Sequence, residues 1–235
     1  MIRYSKVTTG QPREILLLKG RGCRYKQCTF CDYYADGSDD EEECAAVNAP
    51  ALARVTGRFG VLEVICSGSF TDMYSGTIAA VREVCVERGI KLLIVESHWF
   101  YREFFAEFRA LMAPIAVEFK AGIETFDVAL REELKKGLGD TTPEELAEYF
   151  RQCNLLVGIV GQTVQSVERD IRTALEHFRR VCVNVFCENS TPVKVDAALI
   201  AELYDKVLPQ FEHDARVDIL FENTDFGVGT EDEAE

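Results

Sequence analysis

The sequence predicts an α/β protein built on a parallel sheet. Two observations carry the prediction. Short apolar runs rich in β-branched residues recur along the chain, and each is followed by a segment with helical spacing. Alternation of this kind, repeated about six times, implies right-handed crossovers between parallel strands. Such a sheet is either open and doubly wound or curled into a full or partial barrel. In each case ligands collect at the C-terminal ends of the strands.

Taken in order, the expected strands are EILLL (14–18), LEVIC (62–66), KLLIVE (91–96), VEFKAGI (117–123), LLVGIV (155–160) and VCVNVFC (181–187). A late VDILF (217–221) adds a last one. Helices are expected near 44–54, 75–88, 101–112, 126–136, 143–150, 163–178 and 195–206. The start at Thr142-Pro143, followed by Glu144 and Glu145, is the clearest. Pro is tolerated in the first helical turn, and carboxylates there meet the positive end of the helix dipole. No linker, repeat or low-complexity segment interrupts the pattern, so the 235 residues read as one domain with a core at about 13–207 and a C-terminal extension at 208–235.

Composition narrows the function classes. No apolar run reaches the roughly 18 residues a membrane span needs, and MIRYSKVTTGQPREI lacks the apolar core of a secretory signal. The expected location is cytoplasmic. Nine cysteines in such a compartment are not a disulfide framework. Cys66, Cys85, Cys153, Cys182 and Cys187 fall in apolar runs, where Cys acts as a small buried hydrophobe. A net charge of −14 argues against nucleic acid, whose binders need a basic face. Basic residues do gather near the remaining thiols (Arg13, Lys19, Arg21, Arg24, Lys26), which suits a small anionic ligand. Asp39–Glu43 and Thr230–Glu235 read as a solvated loop and a frayed tail.

The strand list is also a list of addresses. The segments after successive strands are Gly20–Cys31, Ser67–Asp72, Ser97–Arg102, Glu124–Asp127, Gly161–Thr163 and Glu188–Thr191. They hold most of the unusual polar residues, and the first holds Cys23, Cys28 and Cys31. Thiolates at this spacing bind zinc or an iron–sulfur cluster, or form a redox pair. Structural zinc takes four ligands, usually as two separated pairs. Here there is one triplet, no second pair, and three histidines (His98, His177, His213). Three thiolates on an iron–sulfur cube leave one iron free for a ligand, whereas electron-transfer clusters use four.

In the order of these motifs the chain resembles the radical S-adenosylmethionine (SAM) superfamily. The triplet departs from that family's usual spacing by one residue in the first gap, but Phe30 fills the aromatic position before the last Cys. SGSF (67–70) is similar to the short glycine motif that holds the SAM amino group. GIETFD (122–127) is similar to the G-[IL]-E pattern, and GIVGQT (158–163) to the motif beside the adenine. The resemblance implies a partial (β/α)6 TIM-type barrel and a 4Fe–4S cluster on Cys23, Cys28 and Cys31. It also implies SAM bound by Phe30, Ser67, Gly68, Ser69, Glu124, Gly158 and Gly161, with Lys19, Arg21 and Arg131 as candidates for its carboxylate. Reduction of SAM then yields a 5′-deoxyadenosyl radical, with an electron donor such as flavodoxin or ferredoxin as partner.

Longer stretches narrow the resemblance further. LKGRGCRYKQCTFCDYY, ESHWFYRE, CENSTPVKVD and RVDILFENTDFGVG look like radical SAM proteins that act on 7-deazaguanines, the queuine lyase family above all. That likeness implies cleavage of the C–N bond of queuine to give 7-aminomethyl-7-deazaguanine. A deazaguanine edge and a diol ask for carboxylates and amides. Glu96, His98, Glu188, Asn189, Glu222, Asn223 and Asp225 supply them. His98 and Phe100 also read as packing residues, Trp99 and Tyr101 as either stacking or packing residues, and Tyr33 and Tyr34 as a shield for the thiols. Three other readings compete: an archaeosine-type lyase on tRNA-bound base, a radical SAM enzyme on another small substrate, and a zinc or iron–sulfur binding module without catalysis.

Overall fold

The computed structural model describes residues 1–229; the acidic tail from Thr230 onward lies outside them. The chain sorts into two compact units. The first contains Met1–Arg24, Tyr33–Phe119 and the described residues from Thr224; the second contains Tyr25–Asp32 and Lys120–Asn223. Each unit is discontinuous in sequence, which is why no composition shift or linker marks the boundary.

Strand order follows chain order, from β1 (Tyr4–Val7) and β2 (Arg13–Leu18) through β3 (Val61–Cys66), β4 (Leu92–Ser97), β5 (Ala116–Glu124), β6 (Gln152–Val157) and β7 (Arg180–Val185) to β8 (Val217–Leu220). In the first unit β1 lies antiparallel to β2, with Tyr4 opposite Leu16, and β2, β3 and β4 are parallel. In the second, Lys120, Gln152 and Arg180 stand opposite one another across β5, β6 and β7, and Val181 faces Val217 across the β7–β8 pair. Every residue of β2 is buried, as expected for a parallel strand covered on both faces. Phe70, Phe105, Phe108 and Phe119 form the aromatic core of the first unit, with Phe105 and Phe119 stacked at 3.6 Å.

The seven α-helices among the described residues fall near their expected places, and the differences have local causes. α1 (Glu41–Leu52) begins inside the acidic run expected to be a loop. Asp40 accepts from the backbone N–H of Glu42 and Glu43, and Glu41–Glu43 lie in the first turn. These are positions where carboxylates cap orphan donors and favour the dipole. α2 (Ser75–Glu87) matches its expectation. The segment expected to be one helix over 101–112 is a 3₁₀ helix, Trp99–Phe104, running into α3 (Phe105–Met112). α4 (Val128–Glu133) is short because Lys135 turns left-handed at φ 50° just beyond it. α5 (Pro143–Tyr149) starts with the expected cap at Thr142, and α6 (Val164–His177) and α7 (Ala197–Lys206) complete the set. β6 ends three residues earlier than the apolar run because Gly158 adopts φ 88°, which breaks extended backbone. β1 escaped the sequence reading: four residues with one buried side chain carry little periodic signal.

A buried carboxylate near the start of β2 makes a testable point about acid stability. Glu14 accepts from the Tyr4 hydroxyl at 2.6 Å, from the Thr56 N–H at 2.8 Å and hydroxyl at 3.0 Å, and from the Gly57 N–H at 2.8 Å. Burial pushes its pKa up, but the bonds from Tyr4, Thr56 and Gly57 outweigh burial and leave it below the usual value of 4.5. A carboxyl lowered on folding contributes stability that is complete above its unfolded pKa. That contribution is lost as pH falls through the folded value. Glu14→Gln is therefore expected to cost about 1–3 kcal/mol at neutral pH. It should also flatten the loss of stability below about pH 4.5, as followed by urea unfolding across that range.

Candidate active site

In the first unit the loop after β2 is laced to the turn after β3. The Cys23 N–H donates to the Ser67 carbonyl at 2.8 Å, and the Gly20 N–H to the Ser67 hydroxyl at 3.3 Å. Gly68 is required by close approach: a Cβ there would lie 2.5 Å from an Asp72 carboxylate oxygen and 2.8 Å from the Cys23 Cα. Asp72 is fully buried and accepts from the Ser69 N–H at 2.8 Å and the Arg24 Nε at 2.7 Å. Beneath the turn, the Cys66 thiol donates to the carbonyls of Gly68 and Ser69 at 3.2 and 3.3 Å. Burial pushes this thiol's pKa well up, and the charges of Asp72, Glu96 and Cys23 push the same way. Cys66 is thus a neutral pin for the SGSF turn.

Glu96 stands half-buried near the end of β4. The His98 N–H donates to the Ser69 hydroxyl at 2.9 Å, while its ring nitrogen accepts from the Phe100 N–H at 3.3 Å. His98 therefore caps the 3₁₀ helix and leans on the Phe100 ring, 4.7 Å away. Phe100, expected to be packed, is 46% exposed, because that cap turns it outward; Tyr33 and Tyr34 are exposed as well.

The second unit holds the rest of the triplet. Its loop is tied to the end of α4: the Thr29 N–H donates to the Leu134 carbonyl at 3.0 Å and the Tyr25 hydroxyl to the Lys135 carbonyl at 2.8 Å. Phe30 packs with Leu134, Leu156, Ile159 and Phe186, and Cys28 and Cys31 lie against that cluster. Glu124 ends β5 at φ 70°, beside a bulge in its pairing with β6. A non-glycine residue held left-handed costs about 1–3 kcal/mol and marks a place where geometry matters more than stability. The Asp170 carboxylate of α6 fixes the turn, accepting from the Thr125 hydroxyl at 2.7 Å and the Phe126 N–H at 3.1 Å. Glu124 itself, 6% exposed, accepts from Lys136 Nζ at 2.8 Å.

The later strand ends are mostly committed to backbone. Gly158 admits the Ile200 side chain where a Cβ would collide at 2.5 Å, and Gly161 turns left-handed at φ 100°. Gln162 bridges the loop, donating to the Leu156 carbonyl at 2.8 Å and accepting from the Ile159 N–H at 3.2 Å. Asn189 donates to the Phe30 carbonyl at 2.9 Å and accepts from the Thr191 N–H at 3.0 Å. With Asp32, which accepts from the Ser190 N–H and hydroxyl, it straps the thiol loop to the end of β7. Glu188 is exposed and pairs with Lys194 at 3.4 Å.

Among solved structures, queuine lyase from Clostridium spiroforme bound to SAM and queuine matches with a TM-score of 0.93, at 37% identity over 98% of this chain and 100% of that one. The chain belongs to the queuine lyase family. It is a radical SAM enzyme, and the likeness carries the fold class expected from the sequence, the partial TIM-type barrel with parallel strands in chain order. No family model and no curated protein matches the sequence. Among the described residues no helix is long and apolar enough to cross a membrane.

Several queuine lyase expectations change in detail. Arg131 is not a SAM ligand candidate: it is buried and donates to the carbonyls of Gly139 and Thr141 at 2.6 and 3.1 Å. Lys19 pairs with Glu43, and Arg21 lies over the Tyr74 ring. Asp225 adjoins Phe226, which packs on the Arg13 guanidinium beside the Gln11 carbonyl. That is the end where β2 starts, and a six-residue strand separates it by about 17–20 Å from the end where the thiol loop begins. Glu222 and Asn223, exposed, do follow the C-terminal end of β8. Cys187 is half-buried, with its thiol 3.9 Å from the Phe221 carbonyl, whereas Cys66, Cys85, Cys153 and Cys182 are buried as expected.

Two groups were missed. Lys136 had no motif to announce it, twelve positions after Glu124 in sequence. The other group is a row of polar residues on one face of β5–β8: Lys120, Gln152 and Arg180 at one level, Asn154, Cys182 and Asp218 at the next. Lys120 and Gln152 are buried, and Arg180 pairs with Asp218 at 2.9 Å. Their alternation with Ala121, Cys153 and Val181 was the available signal.

Proposed function

We propose that this enzyme cleaves the C–N bond of free queuine to give 7-aminomethyl-7-deazaguanine, using SAM and a 4Fe–4S cluster. The observation that carries the reading is the likeness over nearly the whole chain to a queuine lyase bound to SAM and queuine. The strand-end residues support it from within.

Cys23, Cys28 and Cys31 suit the cluster: none is in a disulfide and all three are half-buried, on the loop that follows the C-terminal end of β2. Within neither unit, among the described residues, do three metal-binding side chains converge as they would on a single ion. The donor set, three Cys thiolates on one loop, is one that would hold an iron–sulfur cluster. When bound, the cluster supplies the electron that splits SAM into methionine and the 5′-deoxyadenosyl radical; a flavodoxin or ferredoxin fits as the donor.

The chain's own residues hold and orient. Ser67, Gly68 and Ser69 present a turn fixed by Asp72 and Cys66, placed for the SAM methionine end. Glu124 takes the ribose or methionine side, and Gly158, which seats Ile200, and Gly161, which turns left-handed, shape the loop on the adenine side. Glu96, His98, Glu188, Glu222 and Asn223 remain as groups for the base edge and the diol, while Asn189 positions the thiol loop. The charge of −14 favours a free base over a tRNA-bound one, and nine cysteines without a disulfide among them suit the reducing cytoplasm. Anaerobic enzyme given queuine, its nucleoside and queuine-containing tRNA in parallel is expected to release 7-aminomethyl-7-deazaguanine from the free base. Turnover of the tRNA alone would overturn the substrate assignment.

A further inference from the structure

We propose that Lys136 is a positioning residue with two duties. Its ammonium holds Glu124, and it supplies positive charge to Cys28 and Cys31 that makes the cluster on those thiols easier to reduce. The inference rests on the cluster reading above and concerns a residue no motif assigns.

Four observations place Lys136. Its Nζ lies 2.8 Å from Glu124, and both side chains are about nine-tenths buried. The same ammonium stands 5.5 Å from the centre of the Phe30 ring, the aromatic residue between Cys28 and Cys31. The thiol loop is bonded to the residues just before it, Thr29 to Leu134 and Tyr25 to Lys135, and the left-handed turn at Lys135 delivers Lys136 back toward that loop. Finally, Gly122 makes room: a Cβ there would lie 2.8 Å from Lys136 Nζ and 2.7 Å from the Glu124 oxygen. Burial alone would lower the ammonium's pKa, but the Glu124 carboxylate at 2.8 Å outweighs it and keeps it protonated.

The physical consequence is electrostatic. Adding an electron to a cluster adds negative charge, and a fixed positive charge in desolvated surroundings favours that state. A compact ammonium suits the gap opened by Gly122 better than a planar guanidinium does. Glu124 opposes the effect from the other side, so the two residues should act with opposite signs.

The test is a redox titration of the reconstituted, full-length enzyme, followed by electron paramagnetic resonance, with iron and sulfide measured on each variant. Lys136→Gln is expected to load its cluster but to lower the ratio of reduced to oxidised cluster at least tenfold at a fixed potential, about 59 mV for one electron. Lys136→Arg should recover most of that loss. Glu124→Gln, which keeps an acceptor for the ammonium, should shift the potential upward. Unchanged potentials in loaded Lys136→Gln, or in Glu124→Gln if the first variant does not fold, would overturn the proposal. Parent enzyme that takes up no cluster would instead overturn the underlying reading, and the inference with it.

Discussion

Cys28→Ala is expected to abolish product formation while leaving the protein folded. The loss should exceed the roughly 10- to 100-fold that removal of an outer-shell partner costs at a metal site, because a methyl group cannot replace a thiolate on iron. Folding should survive, since Cys28 is half-buried and lies against the Phe30 cluster without belonging to its buried part. The fixed points of its loop are the bonds from Thr29 to Leu134 and from Asn189 to Phe30, and the substitution leaves both intact. Iron and sulfide content, circular dichroism and release of 5′-deoxyadenosine under dithionite would be read together. Cys28→Ala protein that still released 5′-deoxyadenosine with a full cluster would contradict the ligand assignment.

Glu124→Ala is expected to cost both stability and SAM affinity. Removing one partner of a buried ion pair costs about 3–5 kcal/mol. Here the lower end applies, since Lys136 keeps the Phe30 ring, 5.5 Å from its ammonium, as a second partner. At about 3 kcal/mol the fall in Tm is about 6–12 °C for a chain of this size. The left-handed backbone at position 124 gains nothing from Ala, which is no freer there than Glu. SAM affinity should drop more than queuine affinity, as measured by calorimetry on the anaerobic, cluster-loaded enzyme. The reverse order would mean that Glu124 faces the substrate and that the cofactor and substrate assignments are exchanged.

Much of this was legible in the sequence for physical reasons. Parallel strands buried on both faces appear as unbroken apolar runs, so EILLL and LEVIC could be read directly. Glycines at Gly68, Gly158 and Gly161 stand where the backbone turns left-handed or approaches another atom closely, and no other residue type would do there. The three thiols needed only their spacing. What escaped depends on contacts between distant segments. Lys136 is one lysine among the 26 basic residues until the left-handed turn at Lys135, just past α4, brings it to Glu124. Asp40 looked like part of a solvated acidic run, but its role is set by the helix it caps. Asp225 lay in a promising ENTD segment, and only the packing of Phe226 on Arg13 shows which end of β2 that segment adjoins. The polar row on β5–β8 lies within the strands, where single polar residues alternate with apolar ones and join into a row only once the register is set.

The most direct test of the account is one anaerobic reaction. Cluster-loaded enzyme is mixed with SAM, dithionite and free queuine, and 5′-deoxyadenosine and 7-aminomethyl-7-deazaguanine are followed together by mass spectrometry. Both products are expected to appear together, and neither when SAM is omitted. Deazaguanine product formed without SAM, or 5′-deoxyadenosine with no deazaguanine product, would contradict this expectation.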